Sequence, residues 1–332
     1  MLLHECHDRQ SLASACLLAL TVVHSVAATA ADWKPDRNIE IVVGVTPGGP
    51  LDVSARLIQK LLQDRRMVNV AVSVLNKPGA NNSLAWIYLN QHPGDGHYLA
   101  MTLPNIVANR IVGTHPLNYT DVTPLAQLNS EYIAFSVKSD SPVKSGRELL
   151  ARLENDPASL SIAFSNIGSA NHIGVGVLIK AAGLDIRKMK LVAFKGASDA
   201  MLALLGGHVD AVASSASTIM PHVKSGAVRM IAVAAPRRLG GTLAAIPTWK
   251  EQGTDAVFSN WRGVIGPKGM SPAQIAFWDA TLAAIVQTEE WKKEVEKNDW
   301  EPDYMNSAES RKFLERQDQA LRVVLAELGL AK

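Results

Sequence analysis

The sequence is poor in cysteine. Among its 332 residues only Cys6 and Cys16 occur, and both lie in the first thirty positions. If that segment is removed, the remaining chain contains no thiol and can form no disulfide. A chain of about 300 residues can be stabilised by its hydrophobic core alone, and 47% hydrophobic residues are sufficient for this. The length predicts two domains.

The sequence also lacks an excess of charge of either sign, with 33 Lys and Arg against 31 Asp and Glu. Its densest basic stretches are the pairs Arg65-Arg66 and Arg237-Arg238. Proteins that bind a phosphate backbone carry a clustered basic surface. We therefore expect no nucleic acid as a partner.

The motifs of common enzyme classes are missing. There is no Walker loop, no G-x-G-x-x-G after a strand and no H-E-x-x-H. His4 and His7 flank a cysteine near the N-terminus, but the sequence predicts neither a metal nor a cofactor. Gly196 to Ala200 departs from the G-x-S-x-G nucleophile elbow at its last position. We expect no enzyme, and a serine hydrolase that uses Ser198 is kept as an alternative.

The N-terminus is typical of an export signal. Residues 11–28 form an apolar run that ends at the small residues Ala28, Thr29 and Ala30. This pattern predicts a signal peptide over residues 1–30, cleaved near Ala30, and a mature protein in the periplasm. A membrane anchor is the alternative, although the run is shorter than the ~20 apolar residues that span a bilayer.

Strands and helices alternate along the rest of the chain. In the first half, strands are predicted at 38–45, 68–75 and 98–102, with helices at 51–62 and 85–89. In the second half, the predicted strands are 133–137, 161–164, 191–194, 209–213 and 229–235. This alternation predicts an α/β fold of two doubly wound domains with mostly parallel sheets. Helices that start at Ser271-Pro272 and at Asn306 should pack back on the first domain.

Four loops rich in Gly, Pro, Ser and Asn follow predicted strands, two in each half. They are residues 46–51, 76–82, 165–169 and 195–198. Helix N-termini at such loops offer unpaired N–H groups to anions. Two lobes that face each other with such donors suit an anion with a carboxylate at both ends. The alternative is that these are ordinary turns between strands and helices.

Individual side chains near these loops have open roles. Asp52 is first of all an N-cap candidate, and ordering of its loop is second. His172 falls in the first turn of a helix, either as a helix-start residue or as part of the cleft. Arg262 is suited to a carboxylate but equally to fixing the crossover between domains, and Lys77 and Lys195 are further candidate counter-charges.

The loops, taken in order, resemble the substrate-binding proteins of tripartite tricarboxylate transporters, the Bug-type periplasmic receptors. The resemblance covers nearly all of the mature chain. It is carried by IEIVVGVTPGGPLDVSARLI from residue 39, VLNKPGANNS from 74, PGDGHYLAMT from 93, SNIGSANH from 165, FKGASDAMLALLGGHVDA from 194, IPTWKEQG from 246 and NWRGVIGPKG from 260. This chain departs from many relatives at Pro50, where they carry Gly or Ser, and at Asn81-Asn82, where they carry Gly-Gly.

The resemblance implies a periplasmic binding protein-like fold of type II that closes like a hinge on a small di- or tricarboxylate. It implies lobes of residues 31–133 plus 262–332 and of residues 134–261. The implied partner is a membrane permease with one large and one small subunit, served by a monomeric receptor. A ligand-sensing receptor for a signalling partner would share the same cleft. The implied ligand-binding residues are Pro47, Gly48, Gly49, Asp52, Asn76, Gly79, Ala80, Asn81, Asn82, Thr102, Ser165, Gly168, Ser169, His172, Gly196, Ala197 and Ser198.

Overall fold

A computed structural model of the chain describes residues 33–332. The signal peptide predicted for residues 1–30 lies outside the described residues. Within residues 33–332, no helix is long and apolar enough to cross a membrane.

The first sheet has six strands in the order β11-β4-β10-β3-β1-β2. The first strand, β1, lies between β2 and β3 and is parallel to both. Strand β10 runs antiparallel to β3 and β4, and β11 runs antiparallel to β4. The strands are β1 (Ile39–Val43), β2 (Val72–Asn76), β3 (Tyr98–Thr102), β4 (Val122–Ser130), β10 (Arg262–Pro267) and β11 (Glu301–Met305).

The second sheet has five strands in the order β7-β6-β8-β5-β9. Strand β6 is parallel to β7 and β8, and β5 is antiparallel to β8 and β9. Its strands are β5 (Ile133–Lys138), β6 (Ser161–Ser165), β7 (Lys190–Phe194), β8 (Ala211–Ser215) and β9 (Val228–Val233).

Ten α-helices accompany the two sheets within residues 33–332. Helices α1 to α3 and α8 to α10 belong to the first sheet, and α4 to α7 to the second. We call these two assemblies the first and second lobe. The helices are α1 (Pro50–Asp64), α2 (Ser83–Leu89), α3 (Asn105–Ile111), α4 (Gly146–Asn155), α5 (Ala170–Ala181), α6 (Ala197–Leu205), α7 (Ala216–Lys224), α8 (Pro272–Val286), α9 (Glu289–Lys297) and α10 (Ser307–Glu327).

The α/β class and the two-sheet architecture predicted from the sequence are confirmed. The sheets are mixed, however, and not mostly parallel as expected. The antiparallel pairs all involve β4, β5, β10 or β11. These strands are where the chain passes from one lobe to the other or ends, so they enter each sheet without a βαβ crossover.

Three apolar clusters stabilise the lobes. One lies under α1, α8 and α9 in the first lobe, and another lies under α6 and α7 in the second. The third is continuous across both lobes, because α10 packs on α3 and β4 and also on α5. Its residues Leu314, Leu321 and Leu325 are buried on the predicted apolar face. The tail helices therefore pack on the first lobe, and α10 also joins it to the second.

Helix starts follow the predicted capping signals in the tail. Ser271 and Gln274 form a capping box at α8, and Asn306 and Glu309 form one at α10. Each pair satisfies two backbone N–H groups that the helix leaves unpaired. Local sequence thus determines where both helices begin.

Candidate functional site

The loop after β1, residues 46–51, is ordered by Asp52. The carboxylate of Asp52 accepts the Gly48 N–H at 2.9 Å and the Asn76 Nδ2–H at 2.8 Å. Arg56 Nε donates to the same carboxylate at 2.8 Å. Burial alone would raise the pKa of Asp52, but these hydrogen bonds outweigh it and hold the pKa below its usual value. Asp52 therefore stays ionised and fixes the loop.

The N-cap role expected first for Asp52 is wrong. Gly49 is the N-cap of α1, and it carries no side-chain cap hydrogen bond within the described chain. Asp52 stands three residues later and reaches back to Gly48. Pro50 at the first position has no N–H, so the N–H groups that α1 leaves for an anion are those of Leu51 and Asp52.

The loop after β2, residues 76–82, holds three successive residues in the left-handed region. Ala80, Asn81 and Asn82 have φ of 46°, 52° and 73°. Asn109 of α3 supports this backbone, since its Nδ2 donates to Asn81 O at 3.0 Å and to Ser83 Oγ at 2.9 Å. Asn tolerates such angles better than most residues, and Gly better still. This accounts for Asn at positions 81 and 82.

In the second lobe, the loop at residues 165–169 leads into α5, and His172 lies in the first turn. The His172 ring is buried and stacks on Phe164 at 4.3 Å between centroids. Its Nδ1 accepts the Gly168 N–H at 3.1 Å. Burial lowers the pKa of His172 to about 4, so the ring is neutral at ordinary pH. His172 orders its loop as Asp52 orders the loop in the first lobe.

The loop at residues 195–198 opens α6. Gly196 is the N-cap and has no side-chain cap bond among residues 33–332. Ser198 and Lys195 are exposed. No histidine of the described chain forms a hydrogen bond with Ser198, so the geometry provides no base for a nucleophilic serine.

A cavity of about 210 Å³ lies between the two lobes. We call it the cleft cavity. Its walls are the N-terminal end of α1 and the residue after β3 on one side, and the end of β8 with the first turn of α7 on the other. The lining residues are Val45, Thr46, Gly49, Pro50, Leu51, Leu103, Ser215, Thr218, Asn260 and Arg262.

Of the predicted binding residues, Gly49 lines the cleft cavity. Pro47 and Gly48 belong to the same loop, which Asp52 and Asn76 order through their hydrogen bonds.

The loop at 76–82 adjoins the loop after β1, since Asn76 donates to Val45 O and Asn82 lies beside Gly44, and it extends to Asn109 of α3. The loop at 165–169 also lies near α3, where Val112 is 3.7 Å from a Cβ placed on Gly168. Thr102 is buried at the end of β3, and its Oγ1 has no hydrogen-bond partner in the described part of the chain.

Sequence reasoning missed Ser215, Thr218 and Asn260. Ser215 is the last residue of β8, a strand that the sequence predicts two residues too early, at 209–213. The segment SSAST at residues 214–218 is rich in hydroxyl groups and could have indicated a binding site. Asn260 lies on the return crossover, and its Nδ2 is 3.5 Å from Ser215 Oγ. The sequence does not show that Asn260 lies beside Ser215, because this contact depends on how the two lobes are placed in space.

Arg262 stands where the chain re-enters the first lobe and is almost fully buried. Its Nη2 pairs with Glu131, which lies on the outgoing crossover and is also buried. Glu131 accepts the Ser217 N–H of α7 at 3.0 Å through its other oxygen. The Arg262 guanidinium also lies 4.6 Å from the centroid of the Trp300 ring. Its Nη1 has no hydrogen-bond partner among residues 33–332.

The two roles considered for Arg262 are therefore compatible. It fixes the crossovers through the Glu131 carboxylate, and it also lines the cleft cavity. Within residues 33–332, no group of three or more His, Cys, Asp or Glu side chains is placed to hold a metal.

The chain matches the model of the tripartite tricarboxylate transporter family receptor, TctC, over residues 55–330. A similar protein from Cupriavidus necator, named UPF0065 protein in gbd 5'region, is 28% identical over 331 residues, which is 98% of each chain. The match therefore extends along the whole length of both proteins.

Solved structures have the same fold. The R. palustris protein Rpa4515, solved with adipate, is 25% identical with a TM-score of 0.77 over 90% of this chain and 99% of that one. MatC from Rhodopseudomonas palustris, solved with bound malate, is 21% identical with a TM-score of 0.72 over 88% of this chain and 99% of that one.

The periplasmic binding protein BugD superimposes with a TM-score of 0.74 at 23% identity, over 90% of this chain and 99% of that one. Two lobes, an interlobe cavity and a match over most of the sequence agree with one another. The chain belongs to the tripartite tricarboxylate transporter receptor family, a family of periplasmic solute-binding proteins and not of enzymes.

Proposed function

We propose that this receptor captures a linear aliphatic dicarboxylate, in the size range from malate to adipate, in the cleft between its lobes. The observation that carries the proposal is the cleft cavity, which the N-termini of α1 and α7 face from opposite lobes. Neither N-cap residue, Gly49 or Ser215, caps its helix with a side chain, although Glu131 accepts the Ser217 N–H in the first turn of α7. Each N-terminus has the electrostatic effect of about half a positive charge.

The charges around the cleft cavity favour an anion. None of its lining residues is acidic, and Arg262 is the cationic side chain among them. Arg262 is already paired with Glu131, so a ligand carboxylate at the cavity would share the guanidinium with that partner. A ligand with a carboxylate at each end would place one charge at α1 and the other at α7 or Arg262.

The loops predicted from the sequence would complete the site. Gly49 would offer its backbone N–H, directly or through water, whereas the Gly48 N–H is already accepted by Asp52. Residues 79–82 and 165–169 lie further along the lobes and would contact the ligand when the lobes close. Asn81 and Asn82 place amide side chains where relatives have Gly-Gly, which would shift preference among dicarboxylates.

Closure would occur about the two crossovers. Glu131 and Tyr132 leave the first lobe, and Ser259 and Asn260 return to it; Tyr132 and Ser259 form an antiparallel bridge. The lobe boundaries expected at 133/134 and 261/262 lie next to these crossovers, and we propose to move the first to 132/133, since β5 begins at Ile133. The Glu131–Arg262 pair joins both crossovers, so it would act as the pivot.

Two solved relatives support the choice of ligand, since their structures were determined with adipate and with malate. A thermal-shift and calorimetric series of malate, succinate, glutarate and adipate tests it, with butyrate as the monocarboxylate control. A ligand at 100-fold over its Kd should add about 2.7 kcal/mol to stability. The proposal fails if no dicarboxylate shifts the melting temperature or if butyrate shifts it equally.

The receptor would act in the periplasm and deliver its ligand to a permease with one large and one small subunit. Exposed apolar side chains stand near the loops of both lobes, Leu84 at the start of α2 and Ile167 before α5. Exposed apolar side chains of this kind suit contact with a protein partner.

Export is tested by expressing the full chain and sequencing the N-terminus of the protein recovered from periplasmic extract. A mature chain that begins at Ala31 is expected. A full-length chain that stays with the membrane fraction would identify residues 11–28 as an anchor.

A further inference from the structure

The two sheets of residues 33–332 have four edge strands, β11 and β2 in the first sheet and β7 and β9 in the second. An edge strand has backbone N–H and C=O groups that no neighbouring strand pairs, so another chain can add to it. Proteins commonly block such edges with side chains, prolines or a covering segment. An edge that is left open is therefore a surface suited to pairing with another strand.

Three of these edge strands are blocked. On the outer side of β2, Gln59 Nε2 donates to Val72 O at 2.7 Å. On the outer side of β9, Trp249 N donates to Val233 O at 3.1 Å, so the segment after β9 covers this strand. Strand β11 contains Pro302, which has no N–H to offer. Each of these features removes a group that an added strand would need.

The fourth edge strand, β7 (Lys190–Phe194), is open. It pairs with β6 on one side only. Asn166 N donates to Phe194 O at 2.8 Å, so Phe194 directs its carbonyl toward β6. Because successive residues of a strand direct their backbone groups to opposite sides, Leu191 and Ala193 direct theirs outward. No hydrogen-bond partner for these outward groups is found among residues 33–332. We call this outward side of the strand the β7 edge.

The side chains of β7 are apolar after its first residue, yet none of them is buried. Leu191, Val192 and Phe194 are each partly exposed, and Ala193 is exposed. In contrast, all five residues of the neighbouring strand β6 are buried. An added strand would cover part of this apolar surface, which is favourable.

The charge beside the β7 edge is positive. Lys190 begins the strand and Lys195 follows it, and both side chains are exposed. Neither forms an ion pair within the part of the chain that the structure describes, and Asp185, which precedes the strand, pairs with Arg187. Lysines on an edge oppose pairing with a second copy of the chain, because like charges would be brought together. They favour a strand that carries carboxylates.

We propose that the β7 edge binds an extended acidic segment of another protein by strand addition. The outward N–H and C=O groups of Leu191 and Ala193 pair with the backbone of that segment, and Lys190 and Lys195 attract its carboxylates. The strand runs directly into the loop at residues 195–198, so the bound segment lies beside the loops of the second lobe. This surface is independent of the ligand proposed for the cleft.

Three labelled peptides test the proposal by fluorescence anisotropy with the mature protein. The first alternates Glu with Val and Thr, and the second has Lys in place of Glu. The third is the first peptide with every backbone amide N-methylated, so it keeps the charge and offers no N–H. We expect the acidic peptide to bind and its N-methylated form to bind at least about tenfold more weakly, because at least two hydrogen bonds are lost. Absence of binding by the acidic peptide, or equal binding by the lysine or the N-methylated peptide, would overturn the proposal.

Ala193→Pro tests the backbone contact in the protein. It removes an outward N–H and leaves the pairing with β6 intact, so the chain should fold with little change in melting temperature. The acidic peptide should bind this variant at least about tenfold more weakly. Unchanged binding would contradict the assignment to the β7 edge.

Lys190→Glu tests the charge without altering the backbone. It should weaken the acidic peptide and strengthen the lysine peptide. Lys224→Glu is the matched control, since Lys224 is also an exposed lysine of the second lobe, at the end of α7. Equal effects of the two substitutions would show that the peptides respond only to net charge and would overturn the proposal.

Hydrogen exchange and sedimentation distinguish the other occupants. The acidic peptide should slow exchange at Leu191 and Ala193 and leave residues 46–51 unchanged. Protection at residues 46–51 alone would assign the peptide carboxylates to the cleft instead. A dimer of the chain by itself that Ala193→Pro abolishes would assign the β7 edge to a second copy, and it would likewise overturn the proposal.

Discussion

Glu131 and Arg262 form a buried ion pair that joins the two crossovers between the lobes. Each has a further contact. Glu131 accepts a backbone N–H from α7 of the second lobe, and Arg262 lies over Trp300 in the first. One pair therefore connects the outgoing crossover, the return crossover and a helix that faces the cleft.

Glu131→Gln should lower the free energy of unfolding by about 3 kcal/mol, because it leaves the buried Arg262 cation without its counter-charge. Urea denaturation measures the loss. Glu327→Gln is the control, since its pair with Lys180 is exposed and should cost less than about 1 kcal/mol. Equal losses in the two variants would show that the crossover pair has no special role. Adding Arg262→Met to Glu131→Gln should restore part of the stability.

Gly48→Val should weaken dicarboxylate binding while the chain still folds. Gly48 has φ of 89° and open space around its Cα, so the side chain adds backbone strain of about 1–2 kcal/mol but no clash. It would also block close approach of a ligand to the loop. Gly226→Val, at φ 75° with equally open surroundings in the second lobe, is the matched control. Calorimetry should show lost affinity in the first variant only, and unchanged affinity in Gly48→Val would remove this loop from the site.

Ala80→Gly should raise the free energy of unfolding by about 1 kcal/mol. Ala80 has φ of 46°, a left-handed angle that costs an L-residue with a Cβ about 1–2 kcal/mol. Gly removes this cost. Part of the gain is offset, because Gly gives the unfolded chain more conformational entropy. Ala85→Gly, inside α2, should instead destabilise. A loss of stability in Ala80→Gly would contradict the left-handed assignment.

Stability should fall in mild acid because of His172. Burial lowers its pKa to about 4 from the ordinary 6.5, so between these values the unfolded chain binds a proton that the folded chain does not. Above the ordinary pKa, the neutral His172 contributes about 3 kcal/mol to the free energy of unfolding. This contribution is lost as the pH falls toward the pKa of His172 in the folded chain.

Urea unfolding at about pH 7 and about pH 5 measures this difference. In His172→Gln the decrease over that range should be smaller than in the unaltered chain. His208→Gln, which replaces an exposed histidine, should show the unaltered decrease. An unchanged pH dependence in His172→Gln would show that another group is responsible.

Most elements could be predicted because their signals are local. The β-branched run at Ile39–Val43 and the capping box at Asn306 depend on neighbours in the sequence, and both were located correctly. Strand β4 (Val122–Ser130) was missed. It contains Pro124 and the polar pair Gln127 and Asn129, yet all nine residues are buried, because β10 and β11 pair with its edges while α8 and α10 pack on the strand. No local pattern shows such coverage.

The candidate site likewise has features that local sequence predicts and features that depend on the tertiary structure. The sequence by itself determined the loops that begin helices with Gly or Ser, and hence where unpaired N–H groups would be, because cap and turn preferences depend on a few adjacent residues. The tertiary structure alone decided which of these N-termini face each other across the cleft. It paired α1 with α7, where the sequence had suggested α5 and α6, and it joined Glu131 to Arg262 across 131 residues of chain. Such pairings depend on how two sheets are placed in space, and that placement follows from the packing of the whole core.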